Sequence, residues 1–292
     1  MKYYVRHISS YAYESPVTLS HHIARLLPRK TAYQKIEQAK INITPSEHTL
    51  TQIKDAFGNN ACIFVIEKPH DTLTVTSEFT VDTKIPCYPD EHATPSWEET
   101  ARLLTTPSTD TLLEAAQMTC PSCFINRTRE AKEYALPSFS KNRPVLEAAA
   151  DLMRRIYADF SYDSTATSVA TPVNEVLKLR RGVCQDFAHL SIACLRSLGL
   201  AARYVSGYIR TYKNDETAMV GGDASHAWFS VFVPSFGWVD LDPTNNMYMG
   251  EEHITIGWGR DFDDMSPVKG IMTGGGRHTF NVDVLVAPTD SN

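Results

Sequence analysis

Over residues 1–90 apolar and polar side chains alternate with a period near two, interrupted at intervals by turn residues. The runs YYVRHISSYAYESPV, KIEQAKINITPS, HTLTQIKDAFGNNACIFVIEKP and TLTVTSEFTVDTKI are broken by Ser-Pro, Thr-Pro, Phe-Gly-Asn-Asn and Lys-Pro, which end strands and start turns. That spacing predicts an all-β unit of sandwich type. IARLLPR at 23–29 reads as a strand that leaves the sheet at Pro28. The alternation then stops. YPDEHATPSWEETARLLTTPSTD, at 88–110, is rich in Pro, Thr and acids and reads as a linker with short helical pieces. Beyond it, TLLEAAQMTCPSCFINRTREAKEYA and NRPVLEAAADLMRRIYADFSYD are helical; in the second, Leu146, Ala149, Ala150, Met153 and Ile156 share one face, and Pro144 suits a first turn.

Two more helices follow, PVNEVLKLRRG, running to Gly182, and VCQDFAHLSIACLRSLGL. On the latter Val183, Phe187, Leu190, Cys194 and Leu198 make an apolar stripe, with Gly199 as the stop. ARYVSGYI, HAWFSVFVP and WVDLDPT return to the strand period, the last two joined by the turn Pro234-Ser235-Phe236-Gly237. HITIGWGR and RHTFNVDVLVAP add strands around a glycine-rich loop at 274–276. The expected fold class is α+β: an N-terminal β-sandwich-like domain over 1–90, a linker and helical segment over 91–144, and a core of helices packed on an antiparallel sheet over 145–292.

Composition narrows the function classes. The chain has 292 residues, 42% hydrophobic and 21% charged, enough to bury a sizeable core. Its net charge is −6 and no segment concentrates Lys and Arg, so a nucleic-acid partner is not expected. No apolar run approaches the length of a membrane span, and MKYYVRHISSYAYESP lacks the apolar segment of a secretory signal. A cytoplasmic location with its six cysteines reduced is therefore expected, and no membrane partner. Cys120 and Cys123 form CPSC, half of a zinc site with no second pair to complete it. Asp261, Asp263 and Asp264 in GRDFDDM are too few ligands for calcium and read as a solvated loop. No metal and no cofactor are expected.

Cys184 falls at a helix start, where unpaired backbone N–H groups and the helix dipole favour an anion and make a cysteine a better nucleophile. His226 opens a strand whose Ala227, Phe229, Val231 and Val233 form an apolar face, leaving His226 on the other. Closing the hairpin at 234–237 brings Asp242 within a residue or two of the position opposite His226, with Asp240 a competitor on the same face. A nucleophile, a base and a group that orients the base are the parts of nucleophilic catalysis. Asp186 and His189, three apart on the same helix, are expected to bond to each other locally.

GVCQDFAHLSIACLRSLGLAARYVSGYI, DASHAWFSVFVPSFGWVDLDPTNN and GRDFDDMSPVKG resemble the bacterial transglutaminase-like family, whose papain-like core sets a Cys at a helix N-terminus against a sheet carrying His and Asp. YAYESPVTLSHHIARLLPR is similar to the β-rich domain that often precedes that core. The resemblance implies Cys184 as nucleophile, His226 as base and then acid, and Asp242 as orienter. It implies acyl transfer on a carboxamide, a glutamine side chain or a peptide bond, through a thioester. The substrate would be a protein or peptide, and the acceptor a primary amine or water. Beside the Cys184 N–H, Tyr162 and Gln185 are candidates for the oxyanion site or pocket, and Trp228 and Trp238 for walls of an acyl channel; packing roles suit the same residues. Two alternatives stay open: a cysteine peptidase or amidase hydrolysing the same bonds, and a non-catalytic binding module on the same frame. The oligomeric state is not encoded legibly.

Overall fold

The computed structural model describes residues 1–46, 48–210, 219–220 and 225–289. Five antiparallel strands come first: β1 (Lys2–Ala24), β2 (Gln34–Thr44), β3 (Thr49–Lys54), β4 (Asn60–Ile66) and β5 (His70–Thr83). The linker expected with short helical pieces carries α1 (Trp97–Thr105), and the run expected as helical opens with α2 (Asp110–Gln117); Ser96 and Thr109 cap them. Then follow α3 (Arg129–Ala135), α4 (Val145–Asp159), β6 (Ser161–Tyr162), α5 (Val173–Leu179), β7 (Arg181–Gly182) and α6 (Cys184–Ser197). The last part holds β8 (Ala202–Ile209), β9 (His226–Val233), β10 (Gly237–Asp242), β11 (Met247–Tyr248), β12 (His253–Gly259), α7 (Phe262–Met265), β13 (Val268–Gly274) and β14 (His278–Pro288).

The class is α+β, with two main antiparallel sheets. The N-terminal sheet is built on the 23-residue β1, which alternates buried Tyr3, Val5, His7 and Ser9 with outward residues. Its first half pairs with β5 and its second half with β4, the register shifting between Ala12 and Val17. β13 and β14 fill the opposite edge: Val17 to Ala24 pair with β13 and Tyr3 to Tyr13 with β14. Sandwich-like alternation thus becomes one seven-stranded sheet curled about β1. Residues 268–288, expected beside the core sheet, return to this one and pair the second edge of β1.

The second sheet has the order β11-β10-β9-β8-β12, and β8 and β9 are buried along their whole length. Helix α6 lies against β9 with α3, α4 and α5 around it. The expected apolar stripe on α6 is too narrow, because every residue from Asp186 to Arg196 is buried. The helix ends as expected at Gly199, where Gly199 and Leu200 N–H groups return to Arg196 and Leu195 carbonyls. Arg196 is tolerated inside because its guanidinium donates to the Met118, Ala202 and Arg260 carbonyls and to Ser122 Oγ.

β12 is an edge strand of that sheet, and two amides from the N-terminal unit cover it. Gln34 donates to the Thr255 carbonyl at 2.8 Å and accepts from its N–H at 2.9 Å. Asn59 does the same to Trp258, at 2.8 and 3.0 Å. Each amide satisfies one residue of the open edge as a neighbouring strand would, so the two units share one packed interior.

Candidate active site

Three elements converge on one site: the start of α6, the start of β9 and the end of β10. The turn before α6 differs from expectation. The chain reverses at Arg180, in the left-handed region at φ 56°, and not at Gly182. Gly182 is needed for space, since a Cβ there would sit 2.6 Å from Asp186 Oδ2. Through that gap Asp186 accepts from the Val183 N–H at 2.9 Å, half of a capping box, and from Thr167 Oγ1 at 2.6 Å. Burial pushes the Asp186 carboxyl up, and these hydrogen bonds partly offset it. The expected pairing with His189 does not form. His189 instead accepts the Phe262 N–H at 3.1 Å, stacked on Phe124, and burial with Arg196 nearby lowers it to about 3.

Cys184, the first residue of α6, is buried at 8% exposure. His226 and Asp242 are both enclosed, and His226 Nε2 donates to Asp242 Oδ2 at 2.8 Å. The β9–β10 register explains the reach: Asp240 stands opposite Ser230, which places Asp242 two residues along from the position facing His226. Burial alone would lower His226, but the Asp242 charge and hydrogen bond, with Cys184 adding, outweigh it and lift the imidazole to about 10. Burial alone would raise Asp242; the charges and hydrogen bonds of His226 and His253 instead hold it well below the usual carboxylate range. His226 Nδ1 is enclosed and bonded to no described group, while Cys184 acts on the same ring.

The other candidates are placed differently. Asp240 turns to Ser230 Oγ, to the Trp228 indole N–H at 3.3 Å and to Tyr33 OH at 3.4 Å. Trp228 is fully buried behind His226, its ring 6.0 Å from the imidazole, and so does not wall an entry. It fits because β8 carries Gly207, where a Cβ would lie 2.5 Å from the indole. Trp238 is four residues from Asp242, about 13 Å of strand. It stacks under Arg203 at 4.4 Å and lines a separate cavity of about 430 Å³ with Tyr33, Tyr88 and Met249. Gln185 donates its amide to the Val169 carbonyl at 3.1 Å. Tyr162 is exposed beside the mouth of α6, paired with Gly182 across β6 and β7.

One residue at the site escapes the sequence pattern. His253 opens β12, and its Nε2 donates to Asp242 Oδ2 at 3.2 Å. Among the described residues, His226, Asp242 and His253 are the one trio whose ligand atoms converge, within 4.8 Å. The trio does not fit a metal. His253 Nδ1 accepts the Gly250 N–H at 3.2 Å, so the ring's proton sits on Nε2, the atom a metal would need bare. Asp261 is likewise no solvated ligand: it is 1% exposed, capping α7 through the Asp263 N–H and accepting the Phe124 N–H. Asp263 pairs with Lys269 and Asp264 with Arg260, so the three acids point to separate partners. Cys120 and Cys123 are exposed, and all six cysteines are free.

Known proteins align with both halves. Residues 3–82 match the bacterial transglutaminase-like N-terminal region, and residues 132–243 match the transglutaminase-like superfamily. An uncharacterised protein of Mycobacterium tuberculosis (strain ATCC 25618 / H37Rv) is 39% identical over 300 residues, covering 100% of this chain and 94% of the relative. Another, from Mycobacterium leprae (strain TN), is 33% identical over 290 residues, covering 98% and 97%. The crystal structure of a "putative cysteine protease" from Cytophaga hutchinsonii aligns with a TM-score of 0.75 at 21% identity, over 100% of this chain and 92% of that one, a likeness of fold. The chain belongs to the bacterial transglutaminase-like family, its N-terminal region followed by the transglutaminase-like core.

Proposed function

We propose that this chain is a thiol-dependent acyl-transfer enzyme acting on carboxamides, with Cys184 as nucleophile, His226 as base and acid, and Asp242 as orienter. The observation that carries it is the enclosed His226, bonded to Asp242 through one nitrogen while Cys184 acts on the ring. Held by the Asp242 charge and hydrogen bond, His226 takes the proton of the Cys184 thiol as the sulfur attacks. Sulfur adds to the carboxamide carbon, and the oxyanion is met by the Cys184 backbone N–H, which has no carbonyl partner within the helix. As the C–N bond breaks, His226 gives its proton to the departing nitrogen, leaving a thioester. A primary amine on a second molecule then attacks the thioester. It loses a proton to His226 and releases the thiolate, forming a new amide. The donor is a glutamine side chain in a protein or peptide.

The test is product analysis on a glutamine-containing peptide with and without a primary amine. Ammonia release with amine incorporated, abolished in Cys184→Ala and retained in Cys194→Ala, is the expected result. Cys194 is a fair control because burial raises its thiol to about 12. Ammonia release unaffected by amine, with none incorporated, would replace transfer by hydrolysis. No release from any glutamine or peptide bond, with Cys184 unreactive toward alkylating agents, would overturn the enzyme reading.

A further inference from the structure

The Asp242 carboxylate has no exposed surface and accepts five hydrogen bonds. Oδ1 takes the backbone N–H groups of Thr244 at 2.9 Å and Asn245 at 3.3 Å. Oδ2 takes His226 Nε2 at 2.8 Å, the Asn245 amide at 2.7 Å and His253 Nε2 at 3.2 Å. Two imidazoles therefore share one oxygen, and they differ in what holds them. His226 leaves Nδ1 without a described partner, as a group that must exchange a proton would. His253 is pinned at both ends, by the Gly250 N–H on Nδ1 and by Asp242 on Nε2, with its ring edge-on against Trp228 at 5.3 Å and 86°. A ring held that way keeps one tautomer and presents a fixed donor.

We propose that His253 is a positioning residue: by fixing where Oδ2 points, it sets the angle at which Asp242 holds His226 toward Cys184. Its hydrogen bond into the site is to that carboxylate, and its ring lies tilted beside the His226 ring at 6.3 Å between centroids. Without it, Oδ2 keeps its bonds to His226 and Asn245 but loses the third donor that fixes its direction between them. An error of an ångström there is carried to the far side of the imidazole. The inference rests on the nucleophile reading proposed above, and its test separates the two.

The measurement is the rate at which iodoacetamide alkylates Cys184 at neutral pH, an S–C bond forming as iodide leaves, followed by peptide mapping because Cys87, Cys120 and Cys123 are exposed thiols that compete for the reagent. His253→Phe keeps the ring shape and deletes the donor; the rate is expected to fall on the order of tenfold or more. His253→Gln restores an N–H at the Nε2 position, and the rate is expected to return close to wild type even where the melting temperature drops as far as in His253→Phe. A wild-type rate in His253→Phe overturns the proposal. So does an equally slow His253→Gln, which would mark a packing role alone. If wild type reacts no faster than His226→Ala, the nucleophile reading itself falls and takes this inference with it. Should His253→Phe not fold, ¹⁵N-histidine spectra of the wild-type protein decide: the neutral His253 ring is expected to carry its proton on Nε2 and to leave Nδ1 bare. The opposite tautomer overturns the proposal.

Discussion

Asp240 and Asp242 stand two residues apart on one face of β10, both nearly sealed from water, and their surroundings are opposite in kind. Asp240 is bonded to a serine hydroxyl, an indole and a phenol, and the fixed cation that feels its charge is the buried Arg203, clamped between Trp238 and Trp258. Asp242 is bonded to backbone N–H groups, an amide and two imidazoles. A guanidinium cannot release its proton at any working pH, whereas an imidazole can. The same residue type thus braces a guanidinium at one position and holds two imidazoles two residues on. What separates them is the residue across the strand: Ser230 faces Asp240, and the position two before Trp228 is a histidine.

Four measurements bear on that contrast. The largest effect is expected from Asp242→Asn, which keeps shape but removes the charge that lifts His226. Alkylation of Cys184 at neutral pH should slow by about 10²–10⁴-fold, and an unchanged rate would erase the distinction between the two aspartates. Asp240→Ala should act on stability instead. It strips Arg203 of the buried charge that offsets it, costing about 3–5 kcal/mol in denaturant unfolding, while folded protein keeps its Cys184 reactivity. Next comes pH. His226 is raised from 6.5 to about 10, so its contribution to stability is complete below 6.5 and is lost as pH climbs through about 10. Wild-type unfolding free energy should fall by on the order of 3–5 kcal/mol over that interval, and Asp242→Asn should flatten the fall. The smallest effect belongs to Gly182→Ala, whose methyl would press on Asp186 and cost about 0.5–2 kcal/mol through the cap it breaks. A melting temperature equal to wild type would show that the Asp186 cap is dispensable.

Much of this arrangement could be read from local pattern, and the parts that could not share a cause. The strands of His226 and Asp242 are joined by a three-residue turn, so their register can be counted along two adjacent strands. Cys184 announces itself by a helix start, and α6 does begin there. His253 is invisible to such counting. It lies on β12, which pairs with β8 at the far edge of the sheet, and nothing in HITIGWGR states where β12 goes. The return of β13 and β14 to β1 is hidden for the same reason: strand periodicity names a strand but not its neighbour. Trp228 and Trp238 suit channel walls by residue type alone. Only the space at Gly207 and the position of Arg203 decide that one is sealed behind His226 and the other stacked elsewhere. Asp186 went to the helix cap rather than to His189, because a first-turn acid meets the vacant N–H of Val183 before a side chain three residues on.

The pairing of β1 along both its edges has a consequence for how the molecule is made. Residues 2–24 are synthesised early, yet the strands that fill one edge of β1 are residues 268–274 and 278–288. At ribosomal elongation rates the interval between them is on the order of 10–50 s. Throughout it, the edge of the nascent β1 stays open, a template for any other extended chain nearby. The helices and the inner sheet have time to assemble first, and they bring the C-terminal strands round to the place they must fill. β13 and β14 close β1, so the N-terminal sheet is finished only after the whole of the core between them has been made.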